Sequence, residues 1–314
     1  MIFLLSCSRE SFVEPIDDGR PPAIPTNLKI FGAQDGEIGI EWDKNSEGNI
    51  AGYKIYRSVN MPDNFIFITK VNDNYFIDEH LEYDSTYYYK ISAVNLFGHE
   101  SLMTDSVYAK PTNIYAPLSP NNVRINARNW PSTPTILLYW DSPPDTDIKG
   151  YYIYRSTTES FEADTLHYLD ITSHTSYLDT KNIIPLTKYY YKIKAVDKGF
   201  LKSPSTFIVG DVVLNSPILI FPYNSSIIQK LTEIRFKTVS LPAQYKLVIQ
   251  SNDVYGTVKE FNFSSELTDQ EIKINVSGIQ LESSKTYTWR IFTYTSSEID
   301  PNSFSESFTF TYIP

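Results

Sequence analysis

Ile50-Ala51-Gly52-Tyr53-Lys54-Ile55-Tyr56-Arg57-Ser58 returns later in the chain as Ile148-Lys149-Gly150-Tyr151-Tyr152-Ile153-Tyr154-Arg155-Ser156. Each stretch follows a Trp-Asp pair, Trp42-Asp43 and Trp140-Asp141. Downstream, Tyr87-Tyr88-Tyr89-Lys90-Ile91-Ser92-Ala93-Val94 returns as Tyr189-Tyr190-Tyr191-Lys192-Ile193-Lys194-Ala195-Val196. The offset is 98 residues at the first block and 102 at the second. A period near one hundred is too long for a solenoid unit and matches one small domain copied whole. The chain has 314 residues, room for three such domains.

The repeated blocks read as strands. Ile38, Ile40 and Trp42 alternate with Gly39 and Glu41, and Ile136, Leu138 and Trp140 repeat the pattern. Period-2 alternation buries one face of a strand. Tyr53 and Ile55 share one face of the next strand, as do Tyr151 and Ile153. Turn-rich stretches, Asp43 to Gly48 and Asp141 to Asp145, separate these strands. No segment carries a sustained helical stripe. Aromatics make up 15% of the chain, with 24 tyrosines, a composition suited to β-sheet. Several short strands per hundred residues predict an all-β chain of tandem sandwiches.

The pattern resembles the fibronectin type III domain. That family's core Trp at the end of the second strand is matched by Trp42 and Trp140. Its Gly-Tyr-x-hydrophobic start of the third strand is matched by Gly52-Tyr53-Lys54-Ile55 and Gly150-Tyr151-Tyr152-Ile153. Its corner, Leu-x-Pro-x-Thr-x-Tyr, has the spacing of Leu81 to Tyr87, with Tyr83 and Ser85 in the Pro and Thr places. Ile183 to Tyr189 keeps Pro185 and Thr187. The resemblance makes Tyr87 and Tyr189 corner tyrosines whose hydroxyls bond the backbone upstream. A weaker third copy puts its corner at Tyr287, with Ile234-Arg235-Phe236 and Tyr245 to Ile249 as its second and third strands. It resembles fibronectin or immunoglobulin sandwiches. The expected domains are 22–112, 116–213 and 214–314, joined by short proline-bearing linkers into a semi-rigid rod.

Cys7 is the only cysteine. Leu4-Leu5-Ser6-Cys7 resembles the lipobox of bacterial lipoproteins, in which the Cys is lipidated. The apolar run before it is short, so residues 1–7 read as a truncated lipoprotein signal, with the natural start upstream. Residues 8–21 are polar and proline-bearing, a flexible tether reaching roughly 20 Å. With a single cysteine, no intramolecular disulfide forms, and the domains stand on packing alone.

The formal net charge is -10. Residues 21–111 carry 7 basic and 13 acidic groups, 116–213 carry 10 of each, and 214–314 carry 8 and 10. No segment is basic, which makes a nucleic-acid backbone a poor partner, and none is expected. The four histidines, His80, His99, His167 and His174, show no metal-ligand spacing, and no nucleophile elbow or phosphate loop occurs. Neither a metal nor a cofactor is expected. The pair Asp145 and Asp147 precedes a strand, where turn-forming Asp is ordinary.

Candidate contacts lie on the outward sheet faces. If Tyr53, Ile55, Tyr89 and Ile91 point inward, Lys54, Tyr56, Tyr88 and Lys90 point outward. The second copy then exposes Tyr152, Tyr154, Tyr190, Lys192 and Lys194. Aromatic and aromatic–Lys pairs stabilise sheets by themselves. Tyrosine is also enriched at interfaces. The expected function is a non-enzymatic, surface-anchored binding or adhesion lipoprotein of the bacterial cell envelope, at the outer membrane or cell surface. Its partner would be a protein or glycan, with the membrane held through the N-terminal lipid. Two alternatives stay open: a structural spacer or assembly subunit of an envelope complex, and a carbohydrate-capture lipoprotein using Trp130 in a proline-flanked loop. Lipidation makes a specific demand: Cys7→Ala should leave the membrane fraction, and a variant that still sediments with membranes contradicts the anchor.

Overall fold

The computed structural model describes residues 16–130, 133–251, 256–295 and 300–314. Cys7 lies outside the described residues. The chain divides into two compact units. The first is built on residues up to Ala116 together with Asp145–Ile148 and Asp197–Leu201. The second comprises Pro117–Pro144, Lys149–Val196 and Lys202–Pro314. Among the described residues every regular element is a strand.

In the first unit, β1 (Thr26–Gln34), β2 (Glu37–Asp43) and β5 (Tyr75–Asp78) form one sheet in the order β1-β2-β5. Opposite lie β3 (Ile50–Val59), β4 (Ile66–Val71), β6 (Tyr87–Asn95) and β7 (Val107–Ala109), in the order β4-β3-β6-β7. Three strands over four in this order is the fibronectin type III arrangement. The second unit repeats it with β8 (Asn121–Arg128), β9 (Thr135–Asp141) and β12 (Ser176–Asp179) against β10 (Ile148–Ser156), β11 (Tyr168–Thr172), β13 (Lys188–Asp197) and β14 (Val209–Val212). The third sandwich, also in this unit, sets β15 (Ile218–Phe221), β17 (Glu233–Lys237) and β20 (Glu271–Asn275) against a larger sheet. That sheet holds β16 (Ser226–Ile228), β18 (Ala243–Ser251), β19 (Thr257–Ser265), β21 (Thr286–Tyr294), β22 (Ser303–Phe304) and β23 (Phe308–Tyr312).

The alternating residues fill the cores. Ile38, Ile40, Trp42, Tyr53, Ile55, Tyr89 and Ile91 are buried together, and their copies from Ile136 to Ile193 are buried too. Trp42 meets Tyr53 edge-on at 5.2 Å, and Trp140 meets Tyr151 at 5.2 Å. The corner tyrosines do what the resemblance implies. Glu82 N–H donates to Tyr87 Oη at 2.8 Å, Ile184 N–H to Tyr189 Oη at 3.0 Å, and Glu282 N–H to Tyr287 Oη at 2.7 Å.

One feature of the cores breaks the apolar pattern. Asp78, buried at the end of β5, takes Arg57 Nη1 of β3 on both oxygens, at 3.0 and 2.9 Å. It also accepts from Tyr89 Oη of β6 at 2.7 Å. A single carboxylate therefore ties one sheet to two strands of the other. The second sandwich repeats the tie, with Arg155 Nη1 and Tyr191 Oη each 2.7 Å from Asp179. Burial, then the adjacent carboxylate, pushes the Tyr89 and Tyr191 phenols far above the usual tyrosine range, so both remain donors.

The third sandwich lacks the tie. Tyr245 occupies the Tyr53 place: its Oη accepts from Val239 N–H at 3.1 Å as Tyr53 Oη accepts from Asn45 N–H at 2.9 Å. Arg57 lies four residues past Tyr53, whereas four residues past Tyr245 lies buried Ile249. Two residues past the corner tyrosine, Tyr89 is replaced by Trp289, and β20 ends against buried Val276. An apolar trio stands where the first two copies hold Arg, Asp and Tyr.

Removing one partner of a buried ion pair leaves the other uncompensated, whereas replacing the whole set by apolar groups is often neutral. Asp179→Val alone should therefore cost roughly 3–5 kcal/mol in chemical denaturation. Adding Arg155→Ile and Tyr191→Phe should recover most of that loss. A triple variant as unstable as the single one contradicts the account.

Candidate functional site

The outward residues of the repeated strands are the natural place to look for a contact surface. On β3, Tyr53 and Ile55 fill the core, which turns Lys54 and Tyr56 outward. On β6, Tyr87, Tyr89 and Ile91 fill the core, which turns Tyr88 and Lys90 outward. The structure brings these four together across the β3–β6 ladder, where Tyr56 faces Lys90.

Glu100 organises part of this face. Its carboxylate accepts from Lys54 Nζ at 2.5 Å, Tyr56 Oη at 2.5 Å and Ser92 Oγ at 2.6 Å. Partial burial pushes the Glu100 carboxyl up, but the bonds from Lys54, Ser92 and Tyr56 outweigh it and hold the group below its ordinary range. Glu100 is thus a fixed anion already spoken for. Around it the surface is aromatic. Phe67 of β4, 53% exposed, sets its edge on Tyr56 at 5.9 Å. Tyr88 leans on Tyr108 of β7 at 5.4 Å, and Tyr108 is 66% exposed. Lys90 Nζ lies 4.9 Å over the Phe65 ring and has no acidic partner among the described residues.

In the second sandwich the same face is occupied by the chain itself. The connection between β10 and β11 folds back over the sheet and inserts Phe161 and Ala163 against Tyr154, Tyr152, Tyr190 and Ile208. Tyr154, expected open by period-2 reasoning, is only 3% exposed. It does sit on the outward side; what hides it is the covering segment. Lys192 Nζ donates to the Phe161 carbonyl at 2.7 Å and lies over its ring at 5.2 Å. Asp164 Oδ1 braces the segment by accepting from Leu166 N–H at 3.0 Å and His167 N–H at 3.2 Å. Lysines cap the remaining rings: Lys202 over Tyr152 at 4.3 Å, Lys188 over Tyr190 at 5.1 Å and Lys194 over Tyr154 at 5.7 Å. Tyr190 also rests on Gly210, where an added Cβ would stand 2.5 Å from the ring. Tyr152 and Tyr190 are half-buried parts of this satellite core rather than an open platform.

Trp130 is likewise not an open platform. Its Nε1–H donates to Pro301 O at 2.7 Å, its ring lies 6.0 Å from Phe304, and the Arg128 guanidinium stacks on it at 4.6 Å. It belongs to the joint between the second and third sandwiches, inside the second unit. At that joint buried Asp211 accepts from Ala127 N–H at 2.7 Å, Thr295 Oγ1 at 2.7 Å and Asn302 Nδ2 at 3.0 Å. Burial pushes its carboxyl above the ordinary range against those donors. Asn302 also donates to Ala127 O at 2.6 Å, and Asn126 Nδ2 to Asp300 O at 3.0 Å. An isolated Asp and Asn about ninety residues apart carry no sequence signal for such a contact.

Asp147 is buried and accepts from the Tyr83 hydroxyl within the first unit. Among the described residues no group of three or more His, Cys, Asp or Glu is placed to hold a metal. A cleft of about 470 Å³ in the third sandwich is walled by Ser216–Leu219 and Phe304–Glu306 with Phe308, and Glu306 is its single ionisable side chain.

No protein-family model matches the chain. It is 26% identical to usherin of Mus musculus over 228 residues, which are 71% of this chain and 4% of usherin. The chain thus spans a small fraction of the length of that relative. Among solved structures, the FN1–FN3 domains of chicken CNTN1 align with 94% of this chain and all of that fragment, at 14% identity and a TM-score of 0.38. The twitchin kinase region of C. elegans aligns with 29% of this chain and 17% of that one, at 20% identity and a TM-score of 0.27.

Proposed function

We propose that this chain is a non-enzymatic binding module of the cell envelope, anchored through Cys7, and that the outer face of its first sandwich engages a protein partner. One observation carries the reading. Two copies of the same sheet present the same aromatic–lysine face, each with a Phe of its own connection under the matching lysine, Phe65 under Lys90 and Phe161 under Lys192, but the second copy covers the face more fully, leaving Tyr154 only 3% exposed. In the first copy Phe67 and Tyr108 stand in solvent beside Tyr56 and Tyr88. Exposed aromatic side chains gathered on one sheet face support an interaction site there. Tyr and Phe supply large contact area at low entropic cost.

The second reading, a spacer or assembly subunit, is favoured by the Asp211–Asn302 network and the Trp130 clasp, which join two sandwiches through buried polar bonds. Capture of carbohydrate by Trp130 finds no support, because both its ring face and its N–H are engaged.

Crosslinking in intact envelopes distinguishes the first two. Phe67→Ser with Tyr108→Ser should abolish the partner crosslinked to the wild type, with thermal midpoint unchanged, whereas Tyr168→Ser on the second sandwich should retain it. A partner kept by the Phe67/Tyr108 variant contradicts the proposal.

A further inference from the structure

The covered copy shows what chemistry the open copy accepts. The two sheets align residue for residue: Phe67 pairs with Tyr56 on β3, and Tyr168 pairs with Tyr154 on β10. Between Ser58 and Phe67 the chain runs through Val59–Ile66; between Ser156 and Tyr168 it runs through Thr157–His167, three residues longer. The longer connection lays Phe161 and Ala163 together against Tyr154. The shorter connection places only Phe65 beneath Lys90 and leaves Phe67 and Tyr108 uncovered.

Charge separates the cover from the face beneath it. Thr157–His167 carries Glu159, Glu162 and Asp164 and neither Lys nor Arg. The face below carries Lys188, Lys192, Lys194 and Lys202. Lys192 holds the cover twice, through its ring and through a backbone carbonyl. The first sandwich retains the matching cation, Lys90, offset by the same 102 residues, and adds Lys54 and Lys70 on the outward side of β3 and β4. Its one acid within that face, Glu100, is saturated by Lys54, Tyr56 and Ser92. The open face therefore offers aromatic edges and a lysine without an acidic partner among the described residues, the complement of an acidic strand with a ring.

Resting on the binding role proposed above, we infer that the outer face of the first sandwich receives an extended, acidic segment of a partner protein that presents one aromatic side chain. The ring packs among Tyr56, Phe67, Tyr88 and Tyr108. A backbone carbonyl or carboxylate of the segment accepts from Lys90. The segment thereby extends over the first face the cover that Phe65 begins beneath Lys90 and that Phe161 and Ala163 complete in the second sandwich.

The probe is a synthetic peptide of residues 157–167, titrated into the full-length chain and followed by calorimetry. Saturable binding is expected, weakened about tenfold or more in a peptide with Phe161→Ala and in one with Glu159, Glu162 and Asp164 changed to Lys, a loss of about 1.4 kcal/mol. Binding should fall with salt. It should be lost in the Phe67→Ser/Tyr108→Ser protein and in Lys90→Glu, and kept in Tyr168→Ser. Absence of binding at millimolar peptide, or binding indifferent to the Phe67/Tyr108 and Lys90 changes, overturns the inference. If the envelope partner still depends on Phe67 and Tyr108 while the peptide fails, the acidic–aromatic chemistry is wrong and the binding role stands.

Discussion

A single buried carboxylate in each of the first two sandwiches sets the geometry that everything else uses. Asp78 and Asp179 each hold an Arg from the third strand and a Tyr from the sixth. An Arg at that position has to point inward to reach its acid. By the period of two, Lys54 and Tyr56, or Tyr152 and Tyr154, then turn the other way. A slip of one residue would bury lysines and expose the Arg–Asp pair, an error far costlier than a mismatched apolar contact. The tie thus acts on register more than on net stability. The third sandwich, with Ile249, Val276 and Trp289, shows that the fold can be held without it. That sandwich also lacks the repeated tyrosine–lysine face.

Much of this architecture was legible in the sequence. The Trp-Asp, Gly-Tyr and corner-tyrosine spacings located the strands, the cores and the backbone bonds of Tyr87, Tyr189 and Tyr287, because local alternation and turn chemistry encode them. The Arg–Asp–Tyr tie was not legible. Arg57 and Arg155 alternate like core residues, yet an arginine in a strand reads as surface until its acid is seen across the sandwich. Tyr154 was misread as open because alternation assigns a side chain to a face and says nothing about what lies over that face. The cover comes from a loop whose only sequence mark is three additional residues and one Phe. Trp130 was misread for a related reason: proline-flanked loops are usually exposed, but this one is gripped by Pro301 and Phe304 from 170 or more residues away. Contacts at that range have no local pattern.

The two copies therefore diverge where divergence carries meaning. Their cores and ties are nearly the same, so the fold alone does not distinguish them. They differ in the length of one connection and in the residues it lays across the sheet. One copy satisfies its aromatic face internally, with Phe161 under Lys192. The other lays only Phe65 under Lys90 and leaves Phe67 and Tyr108 exposed, with Glu100 locked and Lys90 without an acidic partner among the described residues. Exposed aromatic area costs solvation unless something covers it for part of the protein's life.

The claim that the first face is open at Phe67 and Tyr108 and the second covered at Tyr154 and Phe161 can be measured residue by residue. Hydroxyl-radical footprinting with mass spectrometry reads side-chain accessibility in the native chain. The account predicts fast oxidation at Phe67 and Tyr108 and strong protection at Tyr154 and Phe161, the latter pair becoming reactive only on unfolding. Equal reactivity of the two pairs in the folded protein, or protection at Phe67 and Tyr108 without any added partner, would contradict it.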